Sequence, residues 1–381
     1  MVAAGFSWAG STLASEQTTT PGRTPAQGAI PGQYIVVLED EVQDPTAVAR
    51  EHAQRHGARV LHTYQHALEG YTARIPDKRL DEVRAEERVD YVELDQRVYA
   101  TAQTLPWGIN RVEADLSSTK AGNGSGAVSK VNVYIIDTGI YRHADLNVVE
   151  HVNFARDGKN RDCYGHGTHV AGIAAAKDDR RYVVGAAPGA PLTGVKVLDC
   201  DGEGTHSSVL KGVDWVTANA VKPAVANMSL AGPASKTLDE AVRKSARSGV
   251  FYTLAAGDNS AGNACKFSPA RAGAGTNNGI ATVAATNKRN AEPSWSDYGR
   301  CVDIWAPGVS ILSTKMGGGT ARMSGVSQAS PHVGGGGALY LSSRTGASPS
   351  RVETALKDAA KKPDTKSKDG RAILLEYVGR F

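Results

Sequence analysis

Short apolar runs rich in β-branched residues recur along this chain, at 131–136 (VNVYII), 192–198, 224–230, 250–255, 281–285 and 302–305. Between them lie stretches with helical periodicity at 169–176, 207–219, 237–248 and 331–342, and a last one at 348–360. Runs that are apolar at nearly every position have no wet face, so they suit strands buried on both sides. Strands and helices in alternation then predict an α/β fold, a parallel sheet with helices on both faces. Such a sheet gathers its functional groups in the crevice outside the carboxyl ends of its strands.

Three stretches carry chemistry. The first run ends in Asp137, Thr138 and Gly139. The stretch YGHGTHVAGIA at 164–174 sets His166 and His169 three apart at the head of an apolar helix. That spacing suits a pair of metal ligands, but no acidic residue stands beside them as in a zinc-protease helix. The stretch MSGVSQASPHVGGGGALYL at 323–341 puts Ser327 near a helix start, whose first-turn N–H groups and positive dipole end face whatever oxygen lies in front. Taken singly, each has a bland reading: a strand-end carboxylate, a core histidine, a capping serine. Taken together they supply a nucleophile, a base for its proton and a carboxylate to fix the tautomer of that base. The serine lacks a GxSxG elbow and the order Asp137, His166, Ser327 differs from that of lipase-type hydrolases, which disfavours that class.

These motifs resemble the subtilisin-like serine peptidases (the S8 family), most closely the proteinase K branch. The resemblance covers roughly residues 33–381 and rests on IDTGI from Ile136, GHGTHVAG from Gly165, NMSLAGP from Asn227, AAGDN from Ala255, APG from Ala306 and SGVSQASPH from Ser324. It implies a secreted endopeptidase of broad specificity, made as a self-processing zymogen, with Asp137, His166 and Ser327 as its triad. Polypeptide substrates would lie as an added strand between residues 202–205, with Gly202 and Gly204, and Ser229, Leu230 and Ala231. Leu230, Ala231, Gly232, Ala255 and Gly257 would wall the pocket for the residue before the cut. Ala231 stands where relatives carry glycine, which would narrow that pocket.

Ahead of this part, residues 33–101 show the order strand, helix, two strands, helix, strand: 34–38, 45–56, 59–64, 70–75, 77–87 and 89–94. That order is the ferredoxin-like α+β arrangement, which by itself says nothing of function. In front of a subtilisin-like domain it resembles the inhibitory propeptide, with Val98, Tyr99, Ala100 and Thr101 as the tail that would occupy the cleft. Cleavage near 100–104 would start a mature peptidase domain, taken as 102–381. Residues 1–32 read as a leader remnant and linker: Ala3 to Ala14 is signal-like but no Lys or Arg precedes it, and Pro21, Pro25 and Pro31 mark a flexible segment.

The four cysteines allow three pairings. The resemblance to a cysteine-matched bacterial subgroup implies Cys163 with Cys200 and Cys265 with Cys301. Disulfides belong to oxidising compartments and so to a secreted protein. The net charge of +4 is scattered, with no Lys/Arg runs interleaved with aromatics, and this excludes the usual nucleic-acid footprint. No apolar run reaches the roughly 18 residues of a membrane span. A monomer is the default that the resemblance implies, and the chemistry requires no cofactor.

Three departures from the family pattern bear on activity. The residue after AAG, an oxyanion-stabilising asparagine in relatives, is Asp258 here, with Asn259 next in line. Val326 and Gln328 flank the serine where relatives carry threonine and methionine, and Gly334 to Gly337 predict a looser helix behind it. The loop between Pro269 and Ile280 is longer than in relatives, which bind structural calcium through its carbonyls and an aspartate matching Asp303. These departures leave an alternative reading, a weakly active or inactive peptide-binding protein of the same fold.

Overall fold

The computed structural model describes residues 29–96, 103–258 and 262–381, so the leader, the tail Val98 to Thr101 and Asn259 lie outside the described residues. The chain forms two compact units, one within residues 1–100 and one within 101–381.

The first unit is a four-stranded antiparallel sheet, order β2-β3-β1-β4, built from β1 (Ala29–Leu38), β2 (Arg59–Gln65), β3 (Glu69–Arg74) and β4 (Val89–Gln96). Helices α1 (Pro45–His56) and α2 (Leu80–Arg84) complete the ferredoxin-like order. Helix α1 starts where Asp44 accepts from the Ala47 N–H and Pro45 takes the first position, and it ends at Gly57 with φ 62°. The core is small: Val36, Leu38, Val48, Tyr71, Ile75 and Val83. The helix expected over 77–87 shrinks to a 3₁₀ turn (Asp77–Arg79) and the five residues of α2, because Val83 alone of α2 is buried and nothing apolar follows it to hold another turn.

The second unit is organised by a seven-stranded parallel sheet, order β13-β12-β10-β8-β5-β7-β6. In chain order its elements are α3 (Trp107–Arg111), β5 (Asn132–Asp137), β6 (Val148–Asn153), α4 (His166–Ala175), β7 (Leu192–Lys196), α5 (His206–Asn219) and β8 (Ala224–Met228). There follow β9 (Gly232–Pro233), α6 (Lys236–Arg247), β10 (Val250–Ala255), β11 (Phe267–Ser268), β12 (Ile280–Thr286), β13 (Ile304–Pro307), β14 (Ile311–Thr314), β15 (Thr320–Met323), α7 (Val326–Ser343) and α8 (Pro349–Ala359). The central strands β7, β8, β10 and β12 are buried at every position, as runs without a polar face require. One apolar cluster joins the sheet to α4, α7 and α8, and a second joins its other face to α5 and α6. Strand β6, an edge strand with Glu150 and Val149 exposed, was not expected from sequence because it lacks the apolar run.

Helix α7 starts five residues earlier than predicted and runs 18 residues. Pro331 has no N–H for the carbonyl of Ser327, and the Ser229 hydroxyl donates to that carbonyl at 2.9 Å instead. The expected looseness of Gly334 to Gly337 is corrected by what surrounds them. A Cβ on Gly335 would meet Ala174 and Ala186, on Gly336 the Glu376 carboxyl, and on Gly337 the Phe251 ring. The glycines are the contact surface of a helix buried from Gln328 to Leu341, and Phe251, wholly buried there, stabilises by about 1.5–3 kcal/mol.

Candidate active site

Strands β5, β7, β8 and β10 end at one edge of the sheet, and the segments that leave them carry the expected functional residues. Asp137, the last residue of β5, is fully buried, and its Oδ1 accepts from His166 Nδ1 and from the Thr138 N–H, each at 2.7 Å. A carboxylate only accepts, so the imidazole proton sits on Nδ1 and Nε2 keeps its lone pair. Burial opposes a charge on His166, but attraction to Asp137 and the bond to it, then the more distant Asp162 and Asp258, outweigh burial and raise its pKa above 6.5.

The loop before α4 is built on Asp162, which sequence reasoning missed. Its Oδ1 accepts from the N–H groups of Tyr164 and Gly165 at 3.0 and 2.8 Å and from the Thr138 hydroxyl at 3.0 Å. Its Oδ2 accepts from the Thr168 N–H at 3.0 Å and from the Thr168 hydroxyl. Thr138 in turn accepts from the Gly167 N–H at 2.9 Å. One buried carboxylate thereby fixes the start of the helix that bears His166. The signal in sequence was an acidic residue just ahead of an apolar helix. His169 is one turn on, buried and turned away, with Nε2 on the Ala321 carbonyl at 3.1 Å; burial pushes it down to about 4. No metal pair with His166 forms.

Ser327 occupies the first turn of α7, whose cap, Gly325, offers no side-chain oxygen. Its hydroxyl donates to the Ser229 carbonyl at 3.3 Å rather than to His166, while both residues line the same cleft. Asn227 anchors the assembly from below: its amide donates to the Ser229 hydroxyl at 2.9 Å and its Oδ1 accepts from Ser330 at 2.7 Å and Thr253 at 2.9 Å. A polar residue inside the apolar run AVANM was the sequence cue to that role.

The cleft measures about 550 Å³ and is open to solvent. Gly202, Gly204, Ser229, Leu230, Ala231, Gly232, Ala255 and Gly257 all line it, as do Tyr164, Glu203 and Asp258. Asp258 is exposed, and its Oδ2 lies 3.3 Å from where a Cβ on Gly325 would stand, so a carboxylate sits before the start of α7. Two disulfides tie the loops of this unit: Cys163–Cys200, next to the cleft residues Tyr164 and Gly202, with Cα atoms 5.0 Å apart, and Cys265–Cys301, at 5.4 Å. Each closes a loop of 36 or 37 residues, which on the chain-entropy estimate is worth about 3–4 kcal/mol.

Calcium does not fit the atoms around Asp303. Its Oδ2 accepts from the Thr282 N–H at 2.9 Å, and the Lys357 ammonium stands 3.6 Å from Oδ1. The nearby loop carbonyls of Arg271 and Ala272 each accept from the Arg243 guanidinium at 3.1 Å. The one cluster of three His, Cys, Asp or Glu side chains close enough to share a metal among the described residues, Asp157 with Cys163 and Cys200, has both sulfurs in a disulfide.

Residues 129–379 match the subtilase family and residues 33–101 match the peptidase inhibitor I9 family. The chain is 40% identical to an extracellular serine proteinase of Thermus sp. (strain Rt41A), over 87% of this chain and 85% of that one. It is 36% identical to an alkaline protease of Alkalihalobacillus alcalophilus, over 85% of this chain and 82% of that one. A solved structure of a cold adapted subtilisin-like serine proteinase superposes with a TM-score of 0.64 at 38% identity, covering 73% of this chain and 99% of that one.

Proposed function

The chain belongs to the subtilase family of serine peptidases and carries an I9-type inhibitor segment ahead of the peptidase, and from that premise we propose a secreted endopeptidase that processes its own zymogen and cuts polypeptides with broad specificity. Residues 1–32 serve as leader and linker, 33–101 as intramolecular inhibitor and 102–381 as the peptidase.

Catalysis follows from the chemistry of three side chains. Ser327 turns its hydroxyl from the Ser229 carbonyl to His166 Nε2, which takes the proton as Oγ attacks the scissile carbonyl carbon. The imidazolium so formed is steadied by Asp137 through Nδ1. Charge gathers on the former carbonyl oxygen, and the free N–H of Ser327 at the start of α7 donates to it. When the intermediate collapses, His166 returns its proton to the leaving amine, and water repeats the cycle on the acyl-enzyme. The substrate backbone pairs along residues 202–204 and 229–231, which gives affinity with little regard to sequence. No metal enters any of these steps.

The observation that carries this reading is the 2.7 Å bond from His166 to Asp137, on the wall of a cleft that also holds Ser327. Treatment with phenylmethylsulfonyl fluoride tests it. Labelling of Ser327 with loss of casein digestion is expected, together with self-shortening of the untreated chain near residue 102. An unlabelled Ser327 in a chain that keeps its full length would overturn it. One feature favours the second reading, a peptide-binding protein with little turnover: the Asp258 carboxylate stands beside the start of α7, where charge on the substrate oxygen would be repelled.

A further inference from the structure

The corner of the sheet around Asp303 is held by protein cations, Lys357 and Arg243. Asp303 precedes β13 and is largely buried, and Glu353 of α8 is wholly buried beside it. Two neighbouring carboxylates out of water need a positive charge. Lys357, one turn after Glu353 on α8, supplies it, with Nζ 2.9 Å from Glu353 Oε1 and 3.6 Å from Asp303 Oδ1. The other carboxylate oxygens are also engaged: the Gly279 N–H donates to Glu353 Oε2 at 2.8 Å, and the Thr282 N–H to Asp303 Oδ2 at 2.9 Å.

The loop facing this pair is closed to a cation as well. The Ala270 carbonyl accepts from the Thr282 hydroxyl at 2.7 Å, the Arg271 carbonyl from Arg243 at 3.1 Å, and the Ala272 carbonyl from Arg243 at 3.1 Å and Asn278 at 3.2 Å. Asn278 and Gly279 lie in this loop, and each adds one of these donors. A hard divalent ion would need six to eight oxygens at about 2.3–2.6 Å, and the oxygens here are turned to N–H and O–H groups. Burial pushes Asp303 up to about 7, against the Thr282 N–H, while Glu353 and Asp303 raise Lys357 in spite of its burial.

We propose that Lys357 is the resident cation of this site, standing where a divalent metal would otherwise balance Asp303 and Glu353. Thermal unfolding of the full chain, with a serine-protease inhibitor present, tests this in EDTA and in millimolar calcium chloride. Because calcium bound anywhere else contributes equally to every variant, the comparison is the calcium-induced shift in Tm. Wild type, Lys357→Arg and Asp303→Asn should show the same shift. Lys357→Met should melt lower than wild type in EDTA by about 5 °C or more. A calcium-induced shift larger in wild type than in Asp303→Asn overturns the proposal, and so does a Lys357→Met chain that melts like wild type in EDTA. Should Lys357→Met fail to fold, equilibrium dialysis decides between wild type and Asp303→Asn: equal calcium per chain supports the proposal, and one ion fewer in Asp303→Asn overturns it.

Discussion

Two helices meet at the cleft, and their first turns are treated in opposite ways. At α4 the N–H groups of Gly167 and Thr168 and the loop before them are taken up by Thr138 and Asp162, inside the protein. At α7 the cap is a glycine without a side-chain acceptor, and the Asp258 carboxylate nearby is exposed. On the proposed mechanism, the donors at α4 are spent on holding a base still. At α7 the Gln328 N–H returns to the Gly325 carbonyl, and the Ser327 N–H before it is left for an oxygen that is present only during reaction. The contrast teaches that an orienting helix start and a reacting one differ by whether their donors are satisfied in the resting protein.

The largest effect falls on the α7 side. Ser327→Ala should lower kcat on a peptide substrate by about 10⁶-fold, the scale found on removal of this nucleophile in subtilisin, a relative. Active-site titration and single-turnover kinetics would check it, and a loss under tenfold would mean that the nucleophile lies elsewhere. The α4 side should respond first in stability. Asp162→Ala leaves three N–H groups and two hydroxyls without their acceptor, so unfolding in urea should report a loss of about 3 kcal/mol or more. Its kcat/KM should fall by up to about 100-fold as His166 drifts from its place, with Asp162→Asn recovering part of both.

The smallest effect, and the one that sharpens the contrast most, is a gain. Asp258→Asn replaces a repelling carboxylate with a donor, and kcat/KM on a peptide ester should rise at least about tenfold, within the range such a donor commands. No change would mean that another group serves the oxyanion. The same variant has a pH signature. A proton on His166 disables the base, and because its pKa is raised above 6.5 the acidic limb of kcat/KM lies above that pH. Asp258 is one of the charges that raise it, so Asp258→Asn should move the limb toward lower pH.

Much of this was legible in sequence because it rests on period and position. Strands without a polar face could only be buried, and the apolar run before Asp137 placed that carboxylate at a strand end. The ferredoxin-like order could be read from alternating runs alone. What stayed hidden depends on partners distant along the chain. Four glycines in a row look like a weak helix until Glu376 and Phe251 come into contact with them. Proline at 331 looks like a helix start until Ser229 is seen to take over the bond it cannot make. Asp162 is one acid among many until five donors converge on it, and nothing in the composition of α8 says that Lys357 faces Asp303.

The link between Cys163 and Cys200 has a consequence beyond durability. Cys163 lies three residues before His166, and Cys200 opens the turn that leads to Gly202 and Gly204 on the cleft wall. A single sulfur pair therefore ties the segment that bears the imidazole to one side of the trough in which a polypeptide would rest. Thiols such as those of a reducing cytosol would unfasten that tie, so an oxidising milieu is built into the shape of the trough itself.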